Sequence, residues 1–182
     1  MPDGDHPGSP DSSWASLERS DRRSSLYVDT SDTGYVLCRS CRVARRCRLG
    51  IDAEEIAADG SVTFMLSCPR DHEGGPDVAH GGWTASALDE MSGHALLLLD
   101  EFAVTGTLTV KFRKPVPILR PLIGRAWIAE RAGRRVHVCC ELRLASTGDV
   151  VATSTAEMIR RPSDHFEQHQ RWLTSRATES ED

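Results

Sequence analysis

The sequence predicts an α+β protein in which one long buried helix lies against an antiparallel sheet. Three observations predict it. Residues 81–99 repeat apolar side chains at helical spacing until the last turns are apolar nearly all round. The segments after them alternate apolar and polar residues at period two. Short turns join those segments, and strands joined that closely must run antiparallel. With 182 residues, 39% hydrophobic and 27% charged, the chain has the composition of one globular domain with a core and tails.

A net charge of -5 does not favour nucleic acid as a partner. The longest apolar run is Ala95-Leu96-Leu97-Leu98-Leu99, far short of the roughly 20 residues a membrane-spanning helix needs. The N-terminus is acidic where a secretory signal would be basic and then apolar, so a cytoplasmic protein without a membrane partner is expected. Six cysteines in that compartment are expected as free thiols or metal ligands.

Residues 1–34 are rich in Asp, Ser, Pro and Arg, and Trp14, Leu17 and Leu26 are too scattered to make an apolar face. A solvated tail is expected there. Residues 35–60 form a Cys- and Arg-rich segment, in which Cys38 to Arg48 hold three cysteines, five arginines and no acid. Two readings stand for it. With Cys68, the cysteines Cys38, Cys41 and Cys47 have the spacing Cys-x2-Cys-x5-Cys-x20-Cys, which offers four thiolates to a structural zinc, with arginines stabilising them. The segment would then be a zinc-dependent interaction module. In the other reading the cysteines are small buried residues and the arginines a solvated face. The basic run is also a candidate contact for the phosphates of a ligand such as coenzyme A, or for a nucleic acid, and the sequence does not choose between them.

The main domain is expected over residues 61–161. Ser61 to Cys68 has strand composition, ends at Pro69, and is read as the first strand. Gly74, Gly75 and Pro76 mark a loop that delivers the chain to His80-Gly81-Gly82, where the helix starts. Asp89 and Glu90 on that helix lie about 100° apart around its axis, so they face different surroundings. Thr107 to Arg113 alternates as a strand closed by Pro115 and Pro117. Leu122 to Glu130, Val136 to Leu144 and Val150 to Ile159 follow as strands, with turns at Ala132-Gly133-Arg134 and at Ser146 to Asp149. Residues 162–182 are expected as a polar peripheral tail.

His80-Gly81-Gly82, then Ala87-Leu88-Asp89-Glu90, then Thr105 ahead of a strand running into Lys114-Pro115-Val116-Pro117 together resemble the hotdog-fold acyl-CoA thioesterases. The likeness is to the phenylacetate-pathway type and its 4-hydroxybenzoyl-CoA thioesterase relatives, over roughly residues 60 to 161. It implies an antiparallel sheet wrapped around a central helix, and a homodimer or dimer of dimers with the active site between subunits. It also implies an acyl-CoA substrate and no cofactor in catalysis. By this resemblance the Gly81 N–H polarises the thioester carbonyl, Asp89 is general base or nucleophile, and Thr105 positions water. Relatives carry an Asn shortly before the His-Gly-Gly turn, where this chain reads His72-Glu73-Gly74.

The chemistry suits these residue types. A thioester carbonyl under attack gains charge on oxygen, and an N–H fixed where that charge appears stabilises the transition state more than the ground state. His80 is read as holding the helix start rather than shuttling protons. Gly82 and Trp83, beside the turn, are candidate substrate contacts. Lys111, Arg113 and Lys114 are candidates for the phosphates of coenzyme A. The alternative function is a noncatalytic acyl-CoA sensor, since a pocket without a working carboxylate would only bind.

Overall fold

A computed structural model describes residues 29–31, 33, 35–38, 40–162 and 164–179. Strands β1 (Asp29–Thr30) and β2 (Val36–Leu37) pair as a small ribbon, and β3 (Ile51–Ile56) and β4 (Val62–Leu66) follow. The turn Arg70–His72 and the ribbon β5 (Glu73–Gly75) with β6 (Val78–Ala79) then lead into helix α1 (Gly81–Leu97). Four long strands come next: β7 (Ala103–Phe112), β8 (Leu122–Ala132), β9 (Arg135–Leu144) and β10 (Val150–Arg160). A second helix, α2 (His165–Glu179), closes the described chain.

The main sheet has six strands in the order β3-β4-β8-β9-β10-β7, every pair antiparallel. Its inner face is built by alternation: Val62, Phe64 and Leu66 on β4, Leu122 and Ala126 on β8, Val136, Val138, Cys140 and Leu142 on β9 are all buried. Helix α1 lies across that face, burying Ala87, Leu88, Met91 and Ala95. Each fully buried Leu or Met contributes about 1.5–3 kcal/mol by leaving water. The end of the Met91 side chain packs over Gly124, where a Cβ would fall 2.6 Å from Met91 Cε and would push that side chain aside. The turns fall where the sequence places them, with Gly133 at φ +58° and Gly148 at φ +74°.

Three expectations change. The strand at 62–66 is not the first of the sheet. Ile51–Ile56 of the Cys/Arg-rich segment pairs with it as the edge strand, its alternation hidden by a register shift between Ile51 and Ala53. Tyr35, Leu37, Cys41, Cys47 and Ile51 join the core, and Tyr35 packs its ring on His94 of α1 and donates to Glu90. The tail after Pro162 is helical, and its Phe166 rests edge-on against Phe102, ring centroids 5.5 Å apart. Most of the N-terminal tail, with Trp14, Leu17 and Leu26, lies outside the described residues. Among the described residues no helix is long and apolar enough to cross a membrane.

Candidate active site

The start of α1 is organised by His80. Its backbone is extended (φ -61°, ψ 138°), and its ring Nδ1 accepts the Gly82 N–H at 2.9 Å, satisfying one donor that a helix start leaves open. Gly82 has to be small, since a Cβ there would sit 2.9 Å from that nitrogen. The His80 carbonyl takes the Thr84 N–H at 3.2 Å. Exposed Gly81 lines a cavity of about 350 Å³ together with Phe112, Arg113 and Lys114. Its N–H has no acceptor among the described residues and stands at the positive end of the helix dipole.

Asp89, two turns along, is half-buried and points to the edge strand β7. The Thr105 hydroxyl donates to its Oδ1 at 2.7 Å. A bulge makes this contact possible. Thr107 faces Glu157 across the β7–β10 pair, yet Thr105 faces Met158, with Gly106 left over. Plain alternation would put Thr105 on the outer face with Thr107 and Thr109; one extra residue turns it to the face of buried Met158 and of α1. Asp89, Thr105, Phe102, Met158 and Phe166 share a second cavity of about 360 Å³.

Glu90 has other duties. It accepts the Tyr35 hydroxyl at 3.1 Å and lies 3.4 Å from His94 Nε2, while His94 Nδ1 meets Glu54 Oε2 at 2.7 Å. Tyr35 stacks on the His94 ring at 4.9 Å. Burial disfavours the imidazolium, but the hydrogen bonds and charges of Glu54 and Glu90 outweigh it and hold the His94 pKa at about 9. Burial likewise works against the Glu90 carboxylate, and His94, Tyr35 and Arg48 reverse the sign and draw its pKa down. This buried network ties residues 35–54 to α1. Sequence reading missed it because its members stand far apart in the chain with no shared motif.

The other candidates are dispersed. Trp83 is buried, its indole N–H donating to the Leu49 carbonyl at 3.0 Å, and it lines neither cavity; it fastens α1 to the N-terminal segment. Arg113 and Lys114 do reach the Gly81 cavity, where Lys114 is also paired with Asp149 at 2.9 Å. Lys111 is exposed on β7 outside that cavity. Glu73 accepts the Asp77 N–H at 2.6 Å and serves the loop.

Of the four cysteines Cys38, Cys41, Cys47 and Cys68, Cys38 and Cys41 meet through their side chains and Cys47 lies near Cys41. Among the described residues no group of three or more His, Cys, Asp or Glu is placed to hold a metal ion. Cys41 Sγ accepts the Arg48 N–H at 3.3 Å, whereas the Cys68 thiol turns to the Pro69 carbonyl at 3.4 Å. Burial pushes Cys47 and Cys68 up to about 11.

A helix laid across a six-stranded antiparallel sheet, with a capped Gly-Gly start and a carboxylate braced from the edge strand, defines a hotdog-fold domain. Residues 77–157 match the family model described as the Thioesterase superfamily. It is 28% identical over 88 residues to acyl-coenzyme A thioesterase THEM4 of Xenopus laevis, covering 48% of this chain and 40% of that protein. The chain thus spans about two fifths of the length of the curated relatives it matches. The PaaI protein of E. coli superposes with a TM-score of 0.58 at 20% identity, over 68% of this chain and 85% of that one. The hypothetical thioesterase protein of Streptococcus pneumoniae TIGR4, solved with coenzyme A, gives 0.55 at 19% identity over 59% and 86%. These two likenesses show the fold.

Proposed function

We propose that the protein hydrolyses acyl-CoA thioesters to a carboxylic acid and free coenzyme A. The observation that carries this reading is the Thr105–Asp89 hydrogen bond at the mouth of a cavity. With Oδ1 engaged by Thr105, the other Asp89 oxygen is left to take a proton from water as that water attacks the carbonyl carbon. The C–S bond then breaks, and the sulfur leaves as the thiol of coenzyme A. The Gly81 N–H receives the carbonyl oxygen as it gains charge. Structures of the S. pneumoniae protein with an aspartate or a threonine replaced by alanine single out two residues sixteen positions apart. Asp89 and Thr105 have the same separation.

Gly81 and Asp89 stand about 12 Å apart along the axis of one helix, and they border different cavities. One chain therefore does not bring both to a single carbonyl, which favours a homodimer in which each site takes Gly81 from one copy and Asp89 from the other. The exposed side of α1 at Ser86, Asp89 and Gly93 is small enough for a second copy to come close. The test is thiol release from short, long and aromatic acyl-CoA thioesters by the parent and by Asp89→Asn. Turnover by the parent that is lost in the variant supports the proposal. Acyl-CoA binding without turnover would make the protein a sensor instead.

A further inference from the structure

The cavity beside Asp89 is bordered outside the superfamily segment. That segment ends at 157, whereas Phe166 comes from α2, beyond it. Apart from Asp89 and Thr105, the lining that a bound group would meet includes Leu97, Phe102, Val104, Met158 and Phe166. Phe166 is set edge-on to Phe102 with ring planes at 65°, and the Arg161 N–H donates to the Phe102 carbonyl at 3.1 Å. The link between sheet and helix is thereby fastened at the cavity edge. Edge-to-face rings hold each other's orientation as well as burying area.

A thioester has two unlike arms. The sulfur arm carries polar pantetheine and phosphates, which suit the Gly81 cavity with Arg113 and Lys114. The acyl arm then falls to the cavity with the phenylalanines. The apolar wall also sets a limit, because an acyl group ending in its own carboxylate would lose water against it. Glu90 and Glu101 at the border are already paired, with His94 and with Arg131 and Arg160. The cavity volume of about 360 Å³ sets another limit.

We infer that α2 supplies a wall of the acyl pocket, and that Phe166 with Phe102 selects uncharged, apolar acyl groups of limited length. The inference rests on the thioesterase reading above. Phe166 is 46% exposed and stands outside the six-stranded sheet, so its replacement leaves the fold in place.

The experiment measures kcat/KM for phenylacetyl-, hexanoyl-, dodecanoyl- and adipoyl-CoA with the parent, Phe166→Ala and Phe166→Trp. For the parent, the uncharged short and aromatic groups are preferred over adipoyl by about ten-fold or more. Phe166→Ala moves the ratio of dodecanoyl to phenylacetyl upward by about ten-fold, the scale of a change of pocket volume, and Phe166→Trp moves it downward. An active parent whose ratios stay fixed in both variants, or whose substrates all lose activity equally, overturns the inference while leaving the thioesterase reading intact. A parent that releases thiol from none of these substrates overturns both.

Discussion

Asp89 and Glu90 are neighbours in sequence, and the helix separates their fates. Glu90 is drawn into the network of Tyr35, His94 and Glu54, while Asp89 is left facing a cavity with a hydroxyl on one oxygen. Asp89→Asn is nearly isosteric but cannot accept a proton, so kcat falls by about 10²–10⁴ with the melting temperature unchanged. Thr105→Val costs less, and Thr105→Ser restores activity. A fully active Asp89→Asn enzyme would remove Asp89 from the mechanism. His94 makes a different prediction. Its folded pKa of about 9 exceeds the unfolded value of 6.5, so the stability it contributes is complete below pH 6.5 and lost as pH rises through about 9. His94→Gln strands the buried Glu54 carboxylate, costs about 3 kcal/mol, and flattens that slope. Urea titrations across this range read both effects, and an unchanged slope would show that the imidazolium is not held by the two glutamates.

At the scale of elements, the start of α1 depends on one ring nitrogen. Replacing the cap in His80→Ala removes about 1 kcal/mol and loosens the N–H of Gly81, so stability and turnover fall together. Asn caps a helix as well as any residue, and His80→Asn is therefore expected to restore both. Stability restored without activity would make His80 a proton carrier. Long elements were legible in the sequence: α1, β9 and β10 stand within two residues of where the spacing puts them, β10 despite a bulge at Val151. A short strand whose period is interrupted was not. The shift inside Ile51–Ile56 concealed an edge strand, and the bulge at Gly106 decides which way Thr105 points, a choice that no alternation count can make because the extra residue leaves no pattern of its own. Helix α2 was hidden for another reason, since its apolar residues Phe166, Trp172 and Leu173 are few among polar ones.

For the whole molecule, Gly81 and Asp89 were candidates from the sequence, and the resemblance already implied a site between subunits. That one chain sets the two residues at different cavities was not legible from any spacing, because it depends on how helix, sheet and loops pack. In the proposed mechanism Gly81 acts through its backbone, so its donor is removed by proline. His80 already has the extended backbone that proline requires before it, and the first helical position tolerates proline because its N–H has no intrahelical partner. Gly81→Pro should therefore fold, yet lose about 10²–10³ in kcat with the loss of its oxyanion donor. Asp89→Asn fails through the base instead. In a symmetric dimer whose sites each combine Gly81 of one copy with Asp89 of the other, a mixed dimer of the two variants has one site with both intact groups and one with neither. Co-expression of the two inactive variants in equal amounts, half of whose dimers are then mixed, is expected to restore about a quarter of parent activity per chain. If both groups served one site from the same chain, every site in the mixture would lack one of them and the activity would stay at the level of the separate variants.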